Sequence, residues 1–331
     1  MRLETSQTNG EKMKSNCKMV LLVFMVLMAL SGNSIAADKN SVFVSISPQK
    51  YFVEQISGDF LQVEVMVKPG DDPHTYEPKA SQMKKLAQSS VYLAIGIGFE
   101  KAWLKRFTGV NPEMKIVHTD AGIVKREIDD HHHDEDHEDE DHDQEQGYEE
   151  NHHEEEKHSN EHEHDAHQES AMDPHIWLSP LLVKKQAQSI ADTLIDLYPQ
   201  QQHIFEQNLA DFLARIDQLD QNLRVALKDK EGMKFMVFHP SWGYFADTYG
   251  LEQVAVEIEG KSPKLAQLQE LIENAKAEGV KAIFVQPQFS TKSAETLARE
   301  IGGSVILIDP LAEDWLSNLQ RVTQQIEKEL R

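Results

Sequence analysis

The sequence predicts an α/β protein built as two α/β lobes with parallel sheets, joined by one long rigid helix. Three observations carry that prediction. Short apolar runs alternate with amphipathic helical patterns, the signature of parallel strands packed between helices. The same alternation resumes in the second half of the chain. Between the halves runs an uninterrupted helical period that contains neither Gly nor Pro.

In the first half, Val42 to Ile46 reads as a strand, and Pro48 opens a helical pattern through Ile56. Val63 to Val67 is a second strand, ending in Lys-Pro-Gly-Asp-Asp-Pro, and Ala80 to Ala87 a helix. Val91 to Ile95 is a third strand, Trp103 to Phe107 falls in a short helix, and Met114 to Val117 completes the set. In the second half, Phe235 to Phe238, Val254 to Ile258, Ala282 to Val285 and Val305 to Ile308 are strands. Leu265 to Ala277 is a helix among them, expected to open with Ser262 as cap and Pro263 in its first turn. The linking segment, residues 200–228, places Phe205, Leu209, Phe212, Leu213, Ile216, Leu219, Leu223 and Leu227 at three- and four-residue spacing. Such a helix is about 40 Å long at 1.5 Å per residue. It is stiffer than the two or three extended strands of a hinged sugar receptor and predicts lobes that move little; the alternative reading is a core helix of one lobe.

The N-terminus reads differently. Lys12, Lys14 and Lys18 precede an apolar run from Met19 to Leu30, followed by a small-x-small site at Ser34 and Ala36. That pattern is a secretory signal, placed at residues 1–37, and its apolar run is too short to span ~30 Å of hydrocarbon. The single cysteine, Cys17, lies before the apolar run, so the mature chain is expected to carry no thiol, no disulfide and no lipid anchor. Metal ligands are then restricted to imidazole and carboxylate. The expected organisation is a signal at 1–37, an N-terminal lobe at 38–199, the linking helix at 200–228 and a C-terminal lobe at 229–331. The expected location is the periplasm and the expected state a monomer. Two separate cores are expected, one per lobe.

The net charge of −23 is concentrated in one insert. Residues 129–169 hold 20 of the 56 acidic residues and one basic residue, Lys157; elsewhere 36 acidic face 32 basic residues. Nucleic-acid binding has no support in that distribution. The insert also holds 11 of the 16 histidines and no aliphatic residue larger than Ala. It is expected to be a disordered loop that collects cations on imidazole and carboxylate.

Three histidines outside the insert sit in similar settings. His74 lies in Asp-Pro-His-Thr-Tyr-Glu-Pro after a strand, and His175 in Asp-Pro-His-Ile-Trp-Leu-Ser-Pro beyond the insert. His239 follows a strand in Val-Phe-His-Pro-Ser-Trp-Gly-Tyr-Phe, and Asp309 follows another in Ile-Asp-Pro-Leu. Open α/β sheets bind ligands beyond the carboxyl ends of their strands. A neighbouring Pro restricts each of these loops. Three imidazoles and a carboxylate match the ligand set of Zn²⁺, and two residues from each half would put the ion in the interlobe cleft. His118 and His203 lack this setting and read as hydrogen-bonded loop residues. Asp72, Glu77 and Asp173 are candidates to orient the imidazoles or to cap loops.

These four motifs, in this order, resemble those of the zinc/manganese solute-binding proteins of ABC transporters, the ZnuA/TroA-like receptors. The resemblance covers the whole mature chain, including the linking helix and the His-rich insert. It implies a receptor that carries Zn²⁺ to the membrane permease subunit of an ABC transporter, with His74, His175, His239 and Asp309 facing the cleft and no catalytic site. Zinc-selective relatives carry His at the third position and manganese receptors usually Glu, and nitrogen donors favour Zn²⁺ over Mn²⁺. Some zinc receptors have Glu directly before the first histidine, where this chain has Pro73; the fourth ligand is then Asp309 or a water. The rival readings are a manganese or iron receptor on the same fold, a zinc hydrolase and a surface adhesin. A hydrolase would need a general base in a spacing such as His-Glu-x-x-His, and the chain has none.

Overall fold

Two four-stranded sheets of identical topology organise the molecule, in the orders β2-β1-β3-β4 and β6-β5-β7-β8. The computed structural model describes residues 40–128, 172–257, 261, 263–289 and 291–330. The signal expected at 1–37 and the insert expected at 129–169 lie outside the described residues.

The first sheet contains β1 (Ser41–Val44), β2 (Gln62–Val65), β3 (Val91–Ala94) and β4 (Lys115–His118). Every pairing in it is parallel, with Val42 opposite Val63 and Val91. The second sheet contains β5 (Lys234–Val237), β6 (Glu252–Ala255), β7 (Ala282–Val285) and β8 (Ser304–Leu307), again all parallel. The central strands β1, β3 and β7 are buried along their whole length, whereas the edge strands β2, β4 and β8 are partly exposed. Helices cover both faces of a parallel sheet, so its middle strands carry unbroken apolar runs.

The helices of the first half are α1 (Ser47–Ser57), α2 (Ala80–Leu86), α3 (Gly98–Val110) and α4 (Pro180–Leu197). The long helix α5 runs Gln202–Leu227. The second half adds α6 (Gly243–Tyr249), α7 (Leu265–Ala277), α8 (Lys292–Ile301) and α9 (Trp315–Glu329). Among the described residues no helix is long and apolar enough to cross a membrane.

Two expectations need correcting. The start of α7 is set by Lys264, whose backbone N–H donates to the Gln267 side chain at 2.9 Å, so Pro263 lies before the helix and not in its first turn. The cores are also not separate. One apolar cluster runs from β1 and β3 through α5 to Phe235, Phe245 and Trp315 of the second half, and a smaller cluster lies around Met236, Ile283 and Leu297. A sequence period identifies a buried face without saying what it packs against. The apolar stripe of α5 buries Phe205, Leu209, Phe212, Ile216, Leu219, Leu223 and Leu227, and this stripe is shared.

Aromatic and hydrogen-bonded ties cross between the halves at the same place. Phe52 meets Trp315 edge to face at 5.2 Å, and Phe212 lies 6.0 Å from Phe52. The Trp177 indole donates to the carbonyl of Pro310, and the Trp315 indole to the carbonyl of Trp177, both at 2.7 Å. Lys50 on α1 pairs with Glu313 at 2.5 Å. These contacts pin the loop that carries Asp309 against the loop that carries His175.

A shared core makes a prediction about unfolding. Phe212→Ala should lower stability by about 3–5 kcal/mol, the usual cost of emptying a buried phenylalanine site. Because the cluster spans both halves, chemical denaturation of the variant should remain a single transition by fluorescence and circular dichroism. Two separable transitions would contradict the shared core.

Candidate metal centre

Each histidine of interest is held by its backbone before its ring is considered. His74 lies between β2 and α2, where Asp72 Oδ1 accepts its N–H at 2.8 Å and Asp72 Oδ2 accepts the Thr75 hydroxyl at 2.7 Å. The first residue of α3, Gly98, lies directly against it; a Cβ there would sit 3.2 Å from the His74 carbonyl and 3.4 Å from its Cα. Glycine lets the helix end approach that closely.

His175 is buried, as is Asp173 two residues before it. Asp173 Oδ1 accepts the His175 backbone N–H at 2.9 Å and lies 2.7 Å from its Nδ1. The same carboxylate faces Arg126, 3.5 Å from Nη1, and Arg126 reaches Asp247 on α6 at 2.9 Å. Tyr244 closes this corner by donating its hydroxyl to the Asp173 carbonyl at 2.9 Å. A side chain at Gly243 would collide with Arg126 and crowd Asp173.

His239 follows β5. Gln286, just past β7, clamps its main chain, accepting its N–H at 3.3 Å and donating to its carbonyl at 2.7 Å. Glu257 Oε2 lies 2.7 Å from His239 Nδ1, and the Phe289 ring stacks on the imidazole at 4.7 Å with 25° between planes.

The three rings converge. Their centroids are 5.0–5.3 Å apart, and one potential ligand atom from each lies within 4.8 Å of the others. The closest approach is Nε2 to Nε2 between His74 and His239, at 3.2 Å. A carboxylate on Nδ1 keeps the proton on that nitrogen and leaves Nε2 as a lone-pair donor. For His239, Glu257 therefore turns Nε2 toward the centre, and Asp173 acts on the Nδ1 of His175. Burial, reinforced by the two neighbouring imidazoles, pushes His74 down to about 3. Burial also lowers His175, outweighing the opposing pull of Asp173. Neutral imidazole is the form that binds a cation.

The structure brings together three of the four residues singled out in the sequence. Asp309, just beyond β8, is not part of that group. Its Oδ1 accepts from Gln288 Nε2 at 2.9 Å and from the Leu311 N–H at 2.9 Å, and its carbonyl accepts from Asn318 at 2.7 Å. His118, at the exposed end of β4, and His203, exposed in the first turn of α5, stand apart from the cluster. Among the candidate orienting carboxylates, Asp173 bonds an imidazole, Asp72 caps a loop, and Glu77 is exposed. Sequence reasoning missed Glu257. It was assigned to a strand Val254 to Ile258, but β6 ends at Ala255, and Glu257 turns in beside His239 because β6 pairs with β5.

With that geometry in hand, comparison with known proteins is specific. Residues 42–329 match the family model described as ZnuA, zinc-uptake complex component A periplasmic. The chain is 28% identical over 283 residues to the zinc-binding protein AdcA of Streptococcus pyogenes, covering 84% of this chain and 51% of that one. It thus spans about half the length of the first curated relatives it matches. It is 28% identical over 304 residues to the high-affinity zinc uptake system protein ZnuA of Bacillus subtilis, covering 88% of this chain and 87% of that one. Among solved structures, a crystal structure of ZnuA is 40% identical with a TM-score of 0.76, covering 89% of this chain and all of that one. A 138–173 deletion mutant of ZnuA with zinc bound is also 40% identical, with a TM-score of 0.74, covering 88% of this chain and 98% of that one. With nearly its whole length matched, the chain belongs to the ZnuA family of periplasmic zinc-uptake components.

Proposed function

We propose that this chain is a periplasmic receptor that captures Zn²⁺ at His74, His175 and His239 and delivers it to the membrane permease subunit of an ABC importer. The observation that carries the reading is the triad itself: three imidazoles from both halves, with ligand atoms within 4.8 Å of one another. Zinc accepts nitrogen donors in tetrahedral sets of four. Asp309 supplies the fourth donor in this reading, or a water takes its place. The printed names of the relatives, zinc-binding and high-affinity zinc uptake, support zinc as cargo. Zinc is transported here, not used for catalysis, so the chain acts as a receptor and not as an enzyme.

Two carboxylates set the quality of the site. Asp173 and Glu257 each lie 2.7 Å from an imidazole Nδ1, fixing ring orientation and raising the basicity of Nε2. The insert at 129–169, with its 11 histidines, adds loosely held ions that feed the fixed site. In the 138–173 deletion mutant of ZnuA zinc is bound in the absence of those residues, which supports a fixed site that does not need every part of the chain.

Substitution tests the ligand assignment. Asp173→Asn and Glu257→Gln should each weaken zinc binding roughly 10–100-fold in a competitive chelator titration. Alanine at His74, His175 or His239 should cost more than that, with the apo fold retained by circular dichroism. Wild-type affinity in His175→Ala would remove that residue from the site.

A second outcome follows from the protonation state. A lowered pKa means the neutral, ligating form persists below the ordinary histidine value of about 6.5, for His74 down to about 3 and for His175 in the same direction. Three ordinary imidazoles would release close to three protons on binding zinc at a pH of about 5.5; here fewer should be released, because His74 is already neutral there. Calorimetry of a variant lacking residues 129–169, in buffers of different ionisation enthalpy, measures this number. A value near three would contradict the lowering at His74 and His175.

A further inference from the structure

Among the described residues, only Oδ1 of Asp309 is engaged, which leaves Oδ2 to meet a cation. A carboxylate oxygen has two lone-pair sites. Oδ1 has both engaged, by the Gln288 amide at 2.9 Å and by the Leu311 N–H at 2.9 Å. The Leu311 bond belongs to the local turn of the Asp-Pro-Leu segment. The Gln288 bond comes from a different loop, between β7 and α8.

We infer that Gln288 determines metal selectivity as a positioning residue: by occupying Oδ1 it makes Asp309 a one-oxygen ligand and keeps the bound ion four-coordinate. The inference rests on the proposed function, in which Asp309 completes the ligand set. Zinc is satisfied by four donors in a tetrahedron. Manganese prefers six, with oxygen donors. A carboxylate able to turn and bind through both oxygens would add a fifth donor, which benefits Mn²⁺ far more than Zn²⁺.

The loop bearing Gln288 is built to hold this position. Two residues earlier, Gln286 clamps the main chain of His239 and donates to the Ser241 hydroxyl at 3.1 Å. One residue later, Phe289 stacks on the His239 ring. A single short loop thus sets His239 and Asp309 together, so Gln288 cannot swing away without disturbing both. The amide is also poorly explained as filler. Its Oε1 is buried with no hydrogen-bond partner among the described residues. Such a group costs stability. Gln288→Met keeps the length of the side chain, removes the donor and removes that orphaned oxygen, so the fold should survive the change.

The experiment measures Zn²⁺ and Mn²⁺ dissociation constants by chelator competition for the wild-type chain, Gln288→Met and Asp309→Ala, with apo thermal unfolding as a check on folding. Gln288→Met should lower the Mn²⁺-to-Zn²⁺ ratio of dissociation constants roughly three- to tenfold, the reach of one ordinary net hydrogen bond. X-ray absorption on the manganese-loaded variant should show one more oxygen neighbour than in wild type. If both metals weaken in the same proportion, or neither changes, while Asp309→Ala weakens zinc, the selectivity role is overturned and the ligand set stands. If Asp309→Ala leaves zinc affinity unchanged, Asp309 is not a ligand and the inference falls with that assignment.

Discussion

Imidazole nitrogens from His74 and His239, 3.2 Å apart, belong to loops beyond two different sheets, so their meeting depends on sheets that do not slide. A shift of one helical turn, about 5.4 Å, would separate them completely. The constraint against that shift is the apolar stripe of α5 and the cluster it shares with both halves. Trp177 and Trp315 add directional bonds across the same boundary, each indole donating to a carbonyl of the other half. Close packing of this kind is resistant to small displacements, since a gap of an ångström forfeits much of the dispersion energy.

On that frame the site is prepared electrostatically. Burial disfavours the charged form of an imidazole, and three imidazoles in contact disfavour it further. The result is a triad with His74 and His175 neutral and poised as donors. Carboxylates at 2.7 Å from the Nδ1 atoms of His175 and His239 keep the outer nitrogens protonated and the inner ones open. Nitrogens gathered this closely would leave a cation bound among them little reorganisation to impose. Asp309 stands outside this group, its Oδ1 held by the Gln288 amide and the Leu311 N–H.

Much of the fold was legible because its signals are local. Central strands buried on both faces must be largely apolar; β3 and β7 are so throughout, and β1 is so after Ser41. A helix 26 residues long with a regular buried stripe shows its period directly. The strand-end positions of His74 and His239 and their neighbouring prolines were equally local. What escaped was lateral. Glu257 lies 18 residues after His239 and meets it only because β6 lies beside β5, a pairing no spacing reveals. The grip of Gln286 on His239, 47 residues away, and of Gln288 on Asp309 arises in the same way from strand order. The joined core escaped because the stripe of α5 does not announce its partners. Pro263 misled because proline is at home in a first helical turn and also just before one.

The measurement that tests the account most directly is anomalous diffraction at the zinc edge from crystals of the zinc-loaded chain. The account predicts one strong peak between the two sheets, with Nε2 of His74, His175 and His239 each about 2.0–2.1 Å away, in a tetrahedral arrangement. A fixed zinc peak elsewhere, or one lacking any of these three nitrogens, would contradict it.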